Sequence, residues 1–201
     1  MHISEGVLSA PVLIGGGALS AGCVAYGLKK MEYKKIPQVA VLSSAFFVGS
    51  LIHIPAGPVS VHLVLNGING LILGWAAFPS ILVALTLQAV LFQFGGITTL
   101  GVNTFNMAFP AVLSYYMFNR LARSPNMNIA MAAGFGAGFF SVASGGALIA
   151  LSLVATGEEF TTAAKLVLAA HLPVMIIEGL FTAACVAFLR KVRPEILEAH
   201  V

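Results

Sequence analysis

The sequence predicts an all-α, polytopic membrane bundle of seven transmembrane helices, with its N-terminus outside and its C-terminus in the cytoplasm. Three observations carry this. Of 201 residues, 59% are hydrophobic and only 8% charged, with a mean hydropathy of +0.97, whereas ordinary soluble domains are nearer a quarter charged. Apolar residues fall in continuous blocks rather than the alternation of a transmembrane barrel, so helices must satisfy the backbone internally. Basic residues cluster at three places only, which orients the whole.

The apolar blocks lie at about 7–28, 36–53, 60–76, 77–94, 104–119, 128–155 and 163–189, against the roughly 20 residues a helix needs to cross. The third and fourth are separated only by the Trp75–Pro79 neighbourhood; Pro79 would break a merged helix, so two spans are expected. Lys29, Lys30, Lys34 and Lys35 follow span 1, Arg120 and Arg123 follow span 5, and Arg190, Lys191 and Arg193 follow span 7. With seven spans and the N-terminus outside, nine of the ten basic residues face the cytoplasm, as the positive-inside rule asks; Lys165 is the exception. This topology also accounts for the net charge of +3 without nucleic acid. Cys23 and Cys185 sit in apolar stretches and read as free thiols. No basic n-region precedes the first apolar run, so no signal peptide is expected and Met1 is expected to be retained ahead of the bulky His2. One domain, 1–201, in the cell (inner) membrane is expected.

Small residues at helical spacing, Ala21/Ala25, Gly70/Gly74 and Gly134/Gly138, let backbones approach closely in lipid. Most are expected to pack within the bundle, while the face Ala18/Ala21/Ala25 is a candidate for contact with another membrane subunit. The Gly95–Asn103 run is too polar for lipid and reads as an outer loop folding over or into the bundle.

Four of five histidines converge on the outer side: His2 before span 1, His53 ending span 2, His62 opening span 3 and His171 early in span 7; His200 lies in the tail. Imidazole is the commonest metal ligand, and outward clustering suggests capture of a cation. His2 adds a specific chemistry. The Met1 amine, the Met1–His2 peptide nitrogen and His2 Nδ1 can chelate one ion in fused rings, leaving one position of a square for a fourth nitrogen. Such sites suit Ni(II) and Cu(II), with low-spin Co(II) also plausible. Affinity should fall with acidity, because the ligands must lose protons.

The chain is similar to the CbiM/NikM family on four stretches: Met1-His2-Ile3-Ser4-Glu5-Gly6, Gly57-Pro58-Val59-Ser60-Val61-His62, the Gly95–Thr104 run, and His171-Leu172-Pro173 through Glu178-Gly179. That family comprises the substrate-capture (S) components of energy-coupling-factor transporters for cobalt and nickel. The resemblance implies a seven-helix fold whose N-terminal segment buries the ion, held by the Met1 amine, the His2 peptide nitrogen and Nδ1, and the His62 imidazole. It implies Co2+ or Ni2+ as cargo with no prosthetic group. Its implied partners are a membrane coupling (T) subunit, cytoplasmic ATPase subunits and a small accessory membrane subunit. After His62, Leu63-Val64-Leu65-Asn66-Gly67 replaces the small residues common in the family.

Glu178, the one carboxylate deep in a span, shares a helix face with His171 seven residues earlier and is read either as support for the metal site or as packing. His53 is read as interfacial or as a metal relay. Neither GxxxxGK[ST] nor HExxH occurs, which argues against an ATPase or a zinc protease in this chain. A self-sufficient channel or secondary carrier is the second reading, disfavoured because only Glu178 offers an ionisable path; a membrane enzyme or haem protein is the third.

Overall fold

A computed structural model describes residues 2–51, 53–56 and 59–197, of which 53–56 and 59–61 are described for their backbone only. Met1 and His200, named above, lie outside the described residues. In chain order the elements are β1 (His2–Ile3), α1 (Ala10–Lys30), α2 (Ile36–Gly49), β2 (His53–Ala56), β3 (Val59–His62), α3 (Asn66–Leu73), α4 (Ala77–Phe92), α5 (Leu100–Ala122), α6 (Met127–Thr156) and α7 (Thr161–Val192).

Local chemistry explains most boundaries. Pro11 stands in the first turn of α1, where its missing N–H costs nothing, and Lys29 and Lys30 close the last turn, favourable to the helix dipole. Asn126 caps α6 by accepting from the Asn128 N–H at 2.9 Å. Among the described residues, four helical stretches are, by length and composition, long and apolar enough to cross a membrane: 10–30, 66–92, 127–156 and 158–192.

The expectation of seven separate spanning helices is corrected here. Residues 66–92 form one helical unit, so among the described residues the helical units number six. That unit is folded back on itself at Gly74, whose φ of +52° turns the chain left-handed, and a short 3-10 turn, Gly74–Ala76, joins its two arms α3 and α4. Both ends of the unit lie at the same end of the bundle: α3 starts four residues after His62, and α4 leads into Phe94, whose ring stacks on His2 beside His62. The block expected as span 3 thus opens on the strand residues 60–62 and continues from Asn66 as an eight-residue helix, α3, buried along its whole length.

Close backbone contact fixes α3 at the centre. A Cβ on Gly70 would lie 2.0 Å from the Ala111 carbonyl of α5, and one on Gly67 would lie 2.6 Å from Gly138 of α6. Gly134 and Gly138 bring α6 equally close to Ala183 and Glu178 of α7. These contacts use two of the three small-residue pairs anticipated. The third, Ala21/Ala25, is exposed together with Ala18, and α1 buries only Ser20 and Gly27.

The sheet was not anticipated. It is antiparallel, in the order β1-β3-β2. β1 pairs His2 with Ser60 and Ile3 with Val59; β2 pairs His53 with His62 and Ala56 with Val59.

Candidate metal-capture site

The register of the sheet creates the site. Residues two apart on a strand share a face, so His62 shares the face of Ser60, and Ser60 lies opposite His2. His2 and His62 are therefore diagonal neighbours, within reach for long or aromatic side chains. Their rings lie 5.2 Å apart between centroids, tilted by 45°, and His62 Nε2 is 3.3 Å from His2 Nδ1. Both residues are 3% exposed.

The tautomer of His62 follows from its other nitrogen. Nδ1 lies 2.6 Å from the Leu63 carbonyl, which accepts only, so Nδ1 carries the proton and Nε2 presents its lone pair to His2. Two nitrogens bound at right angles to one ion at about 2 Å lie roughly 2.8 Å apart; closing the observed gap requires a shift of about half an ångström. Phe94 stacks on His2 at 6.1 Å and 20°, and Phe46 meets His62 edge-on at 6.3 Å and 83°. These rings wall the pair with apolar surface.

Strand β1 is short, and the 94–103 segment holds it. Asn103 accepts from the Ile3 N–H through Oδ1 at 2.8 Å and donates through Nδ2 to the Ile3 carbonyl at 3.0 Å. One side-chain amide thus copies the pairing of a neighbouring strand. Thr99 Oγ1 donates to the same carbonyl at 3.2 Å. The Glu5 N–H donates to the Gly95 carbonyl at 2.7 Å, and the Glu5 carboxylate accepts from the Thr98 N–H at 3.3 Å and from its hydroxyl. Gly95 has φ +76°, and a Cβ there would sit 3.3 Å from His2 Cδ2 and from Asn103 Nδ2. The run read as an outer loop folds onto the N-terminal strand and clasps it.

Glu178 takes a defined part. Its carboxylate accepts from the Leu65 N–H at 2.9 Å and 3.1 Å and from the Val64 N–H. It sits just ahead of α3, where a negative charge favours the helix dipole and satisfies buried donors. Leu65 is held there with φ +54°. Because the Leu63 carbonyl, one residue before Val64, accepts a hydrogen bond from His62 Nδ1, Glu178 anchors the link between His62 and the bundle interior.

The remaining histidines are placed differently. His171 is fully buried, its Nδ1 2.6 Å from the Val167 carbonyl of its own helix, and it does not join the pair: among the described residues no three His, Cys, Asp or Glu side chains come together. The structure thus brings two candidate ligand side chains together, His2 and His62. His53 is paired with His62 by backbone register. Cys23 and Cys185 are free and half-buried. Asn103, Thr99, Glu5 and Phe94 were not singled out in the sequence; the signal available was the polar Gly95–Asn103 run itself.

Comparison with known proteins follows the same outline. The family model described as the cobalt uptake substrate-specific transmembrane region matches residues 2–196. A Haemophilus influenzae chain whose name provisionally assigns it to metal transport is 41% identical, over 98% of this chain and 97% of its own length. The cobalt transport protein CbiM of Sorangium cellulosum is 33% identical, over 98% and 95%. A crystal structure of a transition metal transporter superposes with a TM-score of 0.77 at 27% identity, covering 96% of this chain and 93% of the other.

Proposed function

Because the chain belongs to the CbiM family of cobalt-uptake transmembrane proteins, as its match over residues 2–196 shows, we propose that it is the subunit that captures Co2+ or Ni2+ at the His2/His62 pair for uptake. It is a multi-pass membrane component of cobalt and nickel transport. The observation that carries the finer reading is the 3.3 Å approach of His62 Nε2 to His2 Nδ1 in a buried, aromatic-walled pocket.

Two imidazoles alone make a weak, unselective site. With Met1 as the first residue of the chain, its amine and the Met1–His2 peptide nitrogen complete a four-nitrogen set that suits Ni(II) and Co(II). The alternative of a third metal-ligating side chain finds no support among the described residues. Capture from the outside, with the C-terminus cytoplasmic, follows from the basic clusters at 29–35, 120–123 and 190–193.

The chain carries no phosphate-loop motif, so concentrative uptake rests on an ATPase and a membrane coupling subunit of an energy-coupling-factor assembly. The exposed small-residue face Ala18/Ala21/Ala25 supports close docking of the coupling subunit. Calorimetry of purified protein with Ni2+ and Co2+ tests the site. The parent is expected to bind one ion, His2→Ala and His62→Ala are each expected to lose at least a hundredfold in affinity, and unchanged affinity in His62→Ala would refute the proposal.

A further inference from the structure

Three segments distant in sequence meet at the end of the bundle opposite His2 and His62. Gly27 of α1 lies against the turn between α3 and α4, where a Cβ would come within 2.5 Å of the Trp75 carbonyl. Gly74 of that turn lies against α5, its Cβ position 3.6 Å from the Tyr115 ring. Tyr26 meets the Trp75 ring edge-on at 4.6 Å. Between these segments is a cavity of about 70 Å³, walled by Tyr26, Lys30, Lys35, Trp75, Tyr115 and Tyr116 together with the turn itself. It has room for a few waters and falls well short of the roughly 300 Å³ at which pockets for drug-sized ligands begin. It suits the head of a small polar group.

The wall is built of donors. Lys30 and Lys35 bring ammonium groups, and Lys30 Nζ rests over the Tyr26 ring at 5.8 Å. Trp75 Nε1 donates to the Tyr116 hydroxyl at 2.8 Å, and Arg123 donates to the Tyr115 hydroxyl. Each of these hydroxyls therefore already accepts and has its proton left to donate. Among the described residues no carboxylate or amide side chain lines the cavity. The basic clusters at 29–35 and 120–123, read from sequence only as topology signals, hold six lysines and arginines against one acid, Glu32. The structure brings both clusters to this one cavity, and its chemistry selects an anion.

The surroundings identify which anion. Leu28 of α1 and Met117 and Leu121 of α5 are exposed apolar side chains beside the wall, and in a membrane-spanning chain they face lipid. Lys29, Lys30 and Arg120 follow directly in sequence. The cavity thus opens where apolar helix surface gives way to charge, the level of tyrosine and tryptophan belts and of phospholipid phosphates. We propose that it binds the phosphate headgroup of an anionic phospholipid, held by Lys30 and Lys35 with the Tyr115 and Tyr116 hydroxyls as further donors. Its acyl chains lie along the apolar sides of α1 and α5. A phosphate there ties the end of α1 and the start of α2 to the turn at Gly74, on which the folding-back of α3 and α4 depends. No group of the metal-capture site takes part.

Trp75 is the chain's single tryptophan, so its fluorescence reports on this cavity alone. The purified chain is placed in phosphatidylcholine nanodiscs, and brominated phosphatidylglycerol or brominated phosphatidylcholine is added as quencher. Phosphatidylglycerol is expected to reach half-quenching at a mole fraction roughly 25-fold lower, about fivefold for each lysine engaged. Lys30→Gln/Lys35→Gln is expected to remove the preference while melting at the parent's Tm in detergent without phosphatidylglycerol. Lys191→Gln, on α7 and outside the cavity, is expected to keep it. Equal quenching by the two lipids in the parent would overturn the proposal, as would a preference that survives in the double variant. An equal loss in Lys191→Gln would overturn it too, by reducing the effect to general attraction between a basic surface and anionic lipid. Inorganic phosphate that reverses the quenching at an ionic strength where chloride does not would overturn the lipid as occupant in favour of free phosphate. If the double variant does not fold, Lys30→Gln and Lys35→Gln decide singly, each expected to lose about fivefold.

Discussion

Replacing Asn103 by leucine removes the side chain that holds strand β1 without touching either histidine. Asn103 makes three buried hydrogen bonds, accepting from the Ile3 N–H at 2.8 Å and donating to the Ile3 carbonyl at 3.0 Å and to Thr99 Oγ1 at 3.1 Å. The Ile3 carbonyl keeps Thr99 Oγ1 at 3.2 Å, so the heavier loss falls on the Ile3 N–H. A buried group deprived of its partner costs about 1–3 kcal/mol, and the second bond adds about 1, giving roughly 2–4 kcal/mol in all. β1 is only two residues long, and its docking is what sets His2 beside His62. The cost therefore falls on metal binding, and about 1.4 kcal/mol per tenfold converts it to roughly 30- to 700-fold weaker affinity. Calorimetry with Ni2+ reads the affinity, and the visible spectrum at saturation reads the ligand set. Affinity is expected to fall by that factor with an unchanged spectrum. Affinity within threefold of the parent would refute the clasp, and an altered spectrum would make Asn103 a ligand.

Three further outcomes follow from the same contacts. Glu178→Ala strands the buried Val64 and Leu65 N–H groups and is expected to lower the Tm by roughly 5–15 °C; Glu178→Gln, which keeps an accepting oxygen, should lose less, and an equal loss in both would show that the acceptor is not what matters. Gly95→Ala places a Cβ against His2 at a backbone angle that favours glycine and is expected to weaken Ni2+ binding about tenfold in calorimetry, while Gly15→Ala, with nothing within 4 Å, should leave it unchanged. For topology, Ser4→Cys is expected to react with an impermeant thiol reagent on intact cells and Ala199→Cys is not; the reverse labelling would invert the bundle.

Hydropathy read the membrane helices because lipid selects on the average of a long window, and residue spacing read small-residue contacts at Gly70, Gly134 and Gly138 because a Cβ there has no room. It could not read the fold of residues 60–92. Ser60 to His62 are apolar enough on average to pass for helix, but β1 and β2 offer them two strand edges, a tertiary circumstance invisible in the segment itself. The turn at Gly74 depends on a positive φ that many membrane glycines never adopt. At the site, His2 and His62 were legible as chemistry on one side of the membrane, yet the sheet register that brings them together was not. Asn103 was hidden for the same reason: it serves the backbone of Ile3, one hundred residues away. Glu178 stood out as an acid among apolar residues, but its partners are main-chain N–H groups that no side-chain pattern reveals.

The central claim is that the ion is held by the first two residues of the chain acting as one chelate with His62. Inserting a single alanine between Met1 and His2 tests it most directly, because every side chain remains while the amine and the imidazole no longer flank one peptide nitrogen. Calorimetry with Ni2+ and Co2+ on protein carrying only a C-terminal tag, its N-terminal Met1 verified by mass spectrometry, reads the result. At pH 7 the insertion is expected to abolish tight binding. In the parent, affinity is expected to fall as pH drops below about 8, the ordinary pKa of the amine, and more steeply below about 6.5, that of the imidazoles, because protons compete for the same nitrogens. An insertion variant that binds as tightly as the parent would contradict the account and remove the amine and the shared peptide nitrogen from the ligand set.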